Sequence, residues 1–151
     1  MLQLCVEGGA HGALLRLPPR HQRQRSNGHA AELEARIERR LEEDLGYRVD
    51  TFLRTASELA ALAAEQPFPG ADGTVYIAFL KASPQRARLA LLEAQDEHNR
   101  IEVRGREVHW SCCVPSRLSR MSGALLEKLV DAPATLRNRN TVLRLASRYL
   151  P

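Results

Sequence analysis

Seven consecutive residues, Thr74–Leu80 (T-V-Y-I-A-F-L), are almost wholly apolar and rich in β-forming types. A strand that is apolar on both sides has to be covered on both sides. This run is therefore predicted to be the central strand of a sheet, and the rest of the chain must supply its neighbours and its covers. At 151 residues there is enough chain for one domain, or two small ones, with a sizeable core.

The elements around that strand are readable in order. Residues 30–45 read as a helix, with Leu33, Ile37, Leu41 and Leu45 in one stripe and Gly46 as its stop. Residues 48–54 alternate as a strand, Val49, Thr51 and Leu53 against Phe52. Thr55-Ala56-Ser57-Glu58 is a capping box, in which a hydroxyl and a carboxylate satisfy free amides reciprocally. The helix it opens turns Leu59, Leu62 and Ala63 inward and ends before Pro67-Phe68-Pro69-Gly70. Ser83 and Pro84 start a further helix with Leu89 and Leu92 on its buried side. Residues 100–104 and 106–112 form a hairpin, with Gly105-Arg106 as a type II′ turn. Residues 119–130 are a helix with Met121, Leu125 and Leu129 inward. Pro133 breaks it, and Asn138 or Asn140 caps a last helix carrying Val142, Leu145, Ala146 and Tyr149. The stretch between, L-R-N-R-N-T-V (136–142), suits neither a helix face nor a strand face. The order α-β-α-β-α-β-β-α-α points to an α+β domain over residues 30–151, with helices on one face of a mixed or antiparallel sheet.

Residues 1–29 show neither period and read as an unstructured or foreign basic arm. They hold four arginines and one glutamate; residues 117–151 hold six arginines and one lysine against Glu127 and Asp131, while the middle of the chain is net acidic. A basic C-terminal region on an acidic body suits an anionic partner, although a total of +4 is too small to argue nucleic acid by itself. No apolar run reaches the ~20 residues of a membrane helix, and no basic-then-apolar secretory leader opens the chain. Of three cysteines, Cys112 and Cys113 are adjacent, a poor disulfide framework. These features point to a cytoplasmic protein away from the membrane.

Seven segments, taken together and in order, carry a family likeness. They are V-D-T-F-L-R-T-A-S-E-L-A (49–60), Q-P-F-P (66–69), V-Y-I-A-F-L (75–80), I-E-V-R-G-R-E-V (101–108), S-R-M (119–121), L-L-E-K (125–128) and A-T-L-R-N-R-N-T-V-L-R-L (134–145). Over roughly residues 30–150 the chain resembles a bacterial family, the domain of unknown function sixteen ninety-seven. That family closes on Thr-x-Arg-Asn-Trp-Asn-Thr, so Arg137, Asn138, Asn140 and Thr141 match and Arg139 stands where Trp is usual. Its members open with a strand carrying an Arg-Gly-Ile-Asn-like motif, a helix and two strands, which this chain lacks. The resemblance implies ferredoxin-like halves with the first half incomplete. Strand 48–54 would then lack pairing partners and the helix stripe a floor, and the fold is expected to be marginal there. The family brings no chemistry with it.

The candidate site lies in the closing motif. An Asn cap on the last helix would turn its first-turn amides outward beside Arg137, Arg139 and Arg120. Arg120, Arg137, Asn138, Arg139, Asn140 and Thr141 thus form a candidate anion site of backbone donors, helix dipole and guanidinium groups. Set against this, an Asn cap that merely braces the loop is the commoner arrangement. Strand alternation puts His109 and Cys113 on one face and Trp110 and Cys112 on the other. That is too few ligands on one side for structural zinc, and no metal or cofactor is expected. His109–Cys113 is the one conceivable nucleophile pair. Two functions follow: a non-catalytic module for a phosphate-bearing small molecule or nucleic acid, or an enzyme on a small anionic substrate, impaired because the N-terminal motif is missing.

Overall fold

The structure, a computed structural model, describes residues 4–7 and 26–149. Thr74–Leu80 (β3) is the inner strand it was expected to be. It pairs antiparallel with Glu107–Cys112 (β5) on one side and Ala134–Asn138 (β6) on the other, and Asn99–Arg104 (β4) extends the sheet beyond β5, giving the order β4-β5-β3-β6. Every pairing in it is antiparallel. The expected hairpin is β4–β5: Arg104 faces Glu107 across a two-residue turn in which only Gly105 takes positive φ, as a type II′ turn requires.

The side chains of β3 divide between two cores. Ala78 and Leu80 join Val108, Trp110, Cys112 and Ile101 on one face, under Arg88–Glu93 (α3) and Gly123–Val130 (α4). Ile77 and Phe79 join the opposite core with Leu59 and Leu62 of Ala56–Ala64 (α2), and with Val142 and Ala146 of Arg139–Tyr149 (α5). The helices therefore cover both faces, not one, because a strand apolar on both sides leaves two faces to bury. The succession β3-α3-β4-β5-α4-β6 is a β-α-β-β-α-β unit with both of its connecting helices on one face.

Several local expectations hold in atomic detail. Thr55 and Glu58 make the reciprocal capping box, and Leu59 and Leu62 are buried. Others shift. α4 begins at Gly123 rather than at 119, capped by Ser122; Met121 is buried just ahead of the helix, and Leu126 is its buried residue, with Leu125 and Leu129 at the margin. In α3 it is Leu91 that is buried, while Leu89 and Leu92 are exposed, because a 3₁₀ turn at Gln85–Ala87 precedes the helix and rotates its register.

Leu4–Glu7 (β1) pairs antiparallel with Thr51–Arg54 (β2), and Ser26–Leu45 (α1) begins four residues earlier than expected. The arm expected over residues 1–29 is thus replaced at both of these places; residues 8–25 lie outside the described residues. On the other edge of β2, two carboxylates of α1 stand in for a strand. Glu34 Oε1 accepts from the Leu53 amide at 2.7 Å, and Glu38 Oε1 from the Thr51 amide at 2.8 Å. Their i,i+4 spacing on the helix matches the i,i+2 spacing of outward amides on the strand. Glu34 is thereby buried against β2, while Arg40 and Asp44 form an exposed i,i+4 pair on the same helix.

Arg54 joins β2 to the main sheet. It is fully buried; Nε pairs with Glu107 Oε1, Nη1 donates to Leu53 O, Nη2 donates to Leu80 O, and the guanidinium lies over the Phe79 ring, 5.3 Å from its centroid. Removing one partner of a buried pair leaves the others desolvated and unmatched. Arg54→Met is expected to cost about 3–5 kcal/mol by urea denaturation, whereas Arg40→Met, breaking an exposed pair, costs under about 1 kcal/mol.

Candidate functional site

The closing motif is a strand-to-helix corner. The αL residue Asp131 (φ 51°) ends α4, and Glu127 turns back to accept from the Ala134 amide at 2.9 Å, starting β6. Within β6, Ala134 and Leu136 pack on the α3/α4 core, so Thr135 and Arg137 point to the other face. The segment expected to be neither strand nor helix is both in turn: Ala134–Asn138 is strand and helix starts at Arg139. Asn138, rather than Asn140, is the cap; its Oδ1 accepts from the Asn140 amide at 2.8 Å.

Arg139, which stands where the family usually has Trp, is held by backbone carbonyls. Its Nη2 donates to Glu65 O at 2.6 Å and to Ala63 O at 3.4 Å, the last carbonyls of α2. A cation there satisfies orphan acceptors and complements the dipole's negative end. The corner encloses an open cavity of about 200 Å³, lined by Gly73, Thr74, Val75, Asn138, Arg139 and Asn140. Gly73 is required at its rim, since a Cβ there would sit 2.3 Å from the carbonyl oxygen of Cys112.

Of the six candidate residues, Asn138, Arg139 and Asn140 come together in this wall. Thr141 follows on the first turn, half-buried. Arg137 is half-buried on the α2/α5 side of the sheet, where it donates from Nη1 to Leu136 O at 3.3 Å. Arg120 is not part of the group; it is exposed and directly precedes Met121, which belongs to the core on the opposite face.

Beside Arg139 lies a cluster that the sequence reading missed. His109 is fully buried, with Nε2 3.3 Å from Glu65 Oε2 but out of line for a hydrogen bond, and neither ring nitrogen has a hydrogen-bond partner among the described residues. Glu65 also meets Arg104 at 3.5 Å, and Arg104 meets Glu102, which sits across from His109 on β4. Burial pushes the imidazole below its usual value, opposed by the Glu65 carboxylate, with Arg104 and Arg139 adding to the lowering and Glu102 opposing it. Alternation had placed His109 opposite Trp110; nothing local to Glu65, the C-cap of α2, marks it as the partner. Cys113 lies beyond the end of β5 and does not pair with His109. No group of three or more His, Cys, Asp or Glu side chains disposed to hold a metal occurs among the described residues, and no helix among them is long and apolar enough to cross a membrane.

A family profile described as protein of unknown function (DUF1697) matches residues 23–109, more than half of the chain. The match runs from the start of α1 to His109, so β6 and α5 lie beyond it. No curated protein and no solved structure matches the chain.

The buried imidazole sets a pH dependence. Above pH 6.5, the ordinary histidine value, His109 is neutral folded or unfolded and contributes nothing to the slope. Below it the unfolded chain takes up the proton while the folded one resists, so stability falls until the folded imidazole is protonated too. The thermal midpoint is expected to drop between pH 7 and pH 5, and His109→Gln to reduce that drop. An unchanged slope in the variant would remove His109 from the account.

Proposed function

Since the chain belongs to the DUF1697 family of proteins of unknown function, no activity comes with its membership, and we propose one from the site itself: a non-catalytic module that holds a phosphate group, of a small molecule or of a nucleic acid, at the start of α5. The observation that carries this reading is the cavity at a helix N-terminus, walled by Asn138, Arg139 and Asn140. A helix start presents four amides without intrahelical partners, and the Asn138 side chain takes one of them, that of Asn140. The dipole and the remaining donors favour an anion there. The six arginines and one lysine of residues 117–151 raise the local concentration of such a ligand. Cytoplasmic residence accords with this proposal, as phosphate esters and nucleic acids are plentiful there.

Arg139 contributes in this reading as a fixed positive wall, its guanidinium held by the α2 carbonyls. Arg137 and Thr141 support the corner from the strand and from the first turn. The alternative, an enzyme on a small anionic substrate, would need a proton-transfer group in the cavity wall. Neither His109 nor Glu65 lines the cavity, and His109 is sealed from solvent. The geometry therefore favours binding over catalysis.

Asn140→Asp separates the ligand site from the helix. An acidic residue in the first turn suits the dipole, so the variant should melt at or slightly above the parent temperature. It should nevertheless bind inorganic pyrophosphate and a short single-stranded oligonucleotide at least about tenfold more weakly by calorimetric titration, since like charges now meet in the cavity. Binding of the pyrophosphate alone would favour a small-molecule ligand, and tighter, strongly salt-dependent binding of the oligonucleotide a nucleic acid. Equal affinity in parent and variant would refute the site.

A further inference from the structure

At the end of the sheet away from the Gly105 turn, the loop joining α3 to β4 brings three reactive side chains together. Cys113 Sγ is exposed and lies 3.6 Å from His98 Nδ1; the far nitrogen of that ring, Nε2, lies 3.4 Å from Glu97 Oε1. A carboxylate facing Nε2 favours the tautomer with its proton on Nε2, which leaves Nδ1 as an acceptor facing the thiol. Thiol, base and orienting acid are thus in the sequence of contacts that activates a nucleophile.

The backbone holding them is well braced. Asn99 is buried and hydrogen-bonded on all sides: Trp110 Nε1 and Ser119 Oγ donate to its Oδ1 at 2.8 and 2.7 Å, and its Nδ2 donates to Asp96 Oδ1 at 2.8 Å. Asp96 in turn accepts from the His98 amide at 2.8 Å, and the Cys113 amide donates to His98 O at 3.1 Å. The backbone that carries His98 and Cys113 is therefore tied to the Trp110–Asn99–Ser119 network. Cys112, the adjacent thiol, is buried and donates to Val114 O, which keeps it out of the reaction.

We propose that Cys113, with His98 as its base, is a site of thiol–disulfide exchange with low-molecular-weight disulfides. The Cys113 proton passes to His98 Nδ1, and the thiolate attacks one sulfur of the disulfide. A new S–S bond forms to Cys113 as the old one breaks. The other sulfur leaves with the electron pair and takes up a proton, so the disulfide is the oxidant and Cys113 is oxidised to a mixed disulfide. The open surface permits in-line approach, and the carboxylates of Asp96 and Glu97 favour a cationic disulfide over an anionic one.

The test uses the full chain with Cys5→Ser, so that the remaining reactive thiol is defined, and cystamine as the cationic probe and glutathione disulfide as the anionic one. Intact-mass kinetics should show one adduct, mapped to Cys113 and absent in Cys113→Ser, with cystamine reacting faster than glutathione disulfide. His98→Ala lies on an exposed loop and should fold normally by circular dichroism. Its rate should fall by about tenfold or more, and its pH–rate profile should differ from the parent's, because only the parent carries the imidazole base. The same rate and pH profile in His98→Ala, or an adduct mapped to Cys112, would overturn the proposal.

Discussion

The guanidinium of Arg54 occupies the point where β2, the last residue of β3 and the β4–β5 turn converge, and no other group could satisfy them together. It supplies donors to the Leu53 and Leu80 carbonyls and to Glu107, and its flat face covers Phe79. A lysine has no planar fork to divide in this way. Arg106 repeats the theme one layer out, reaching Glu58 of the α2 capping box at 2.6 Å. The start of α2 is thereby fixed to the hairpin turn. Because α2 and α5 share one core, the position of α2 carries through to the corner where α5 begins.

From that anchoring the candidate site follows in steps. β3 is buried on both faces, so β6 must pair along its full length and deliver Asn138 to the end of the sheet beside Gly73 and Thr74. Arg139 then binds the last carbonyls of α2, closing the circuit from Arg54 through α2 back to α5. The cavity at this corner is thus a consequence of how two helices are tied to one strand. Buried His109 and half-buried Glu65 lie within the same circuit, beside Arg139.

Much of this was legible in the residues. T-V-Y-I-A-F-L could hardly be anything but an inner strand, and Thr55 with Glu58 announced its capping box, because both signals are local and strongly periodic or stereochemically specific. The strand β6 was hidden by where its pattern begins. Counted from Ala134, the alternation of Ala and Leu against Thr and Arg is a period-two signal; counted from Leu136, it looks like a polar run. The roles of Glu34, Glu38 and Glu65 could not be read, since each depends on a partner 13 or more residues distant in sequence and on burial that no periodicity reports. The same is true of His98, whose partner Cys113 is brought to it only by the pairing of β4 with β5.

The central functional claim is that a phosphate group sits at the start of α5. Amide chemical shifts of the ¹⁵N-labelled chain, followed while inorganic phosphate is added, test it residue by residue. The account predicts saturable shifts concentrated at Gly73, Thr74, Val75 and residues 139–141, with the amides of α1 and α3 unmoved. Shifts that grow linearly without saturation, or that fall on the exposed arginines of α1 and leave the α5 corner unchanged, would contradict it.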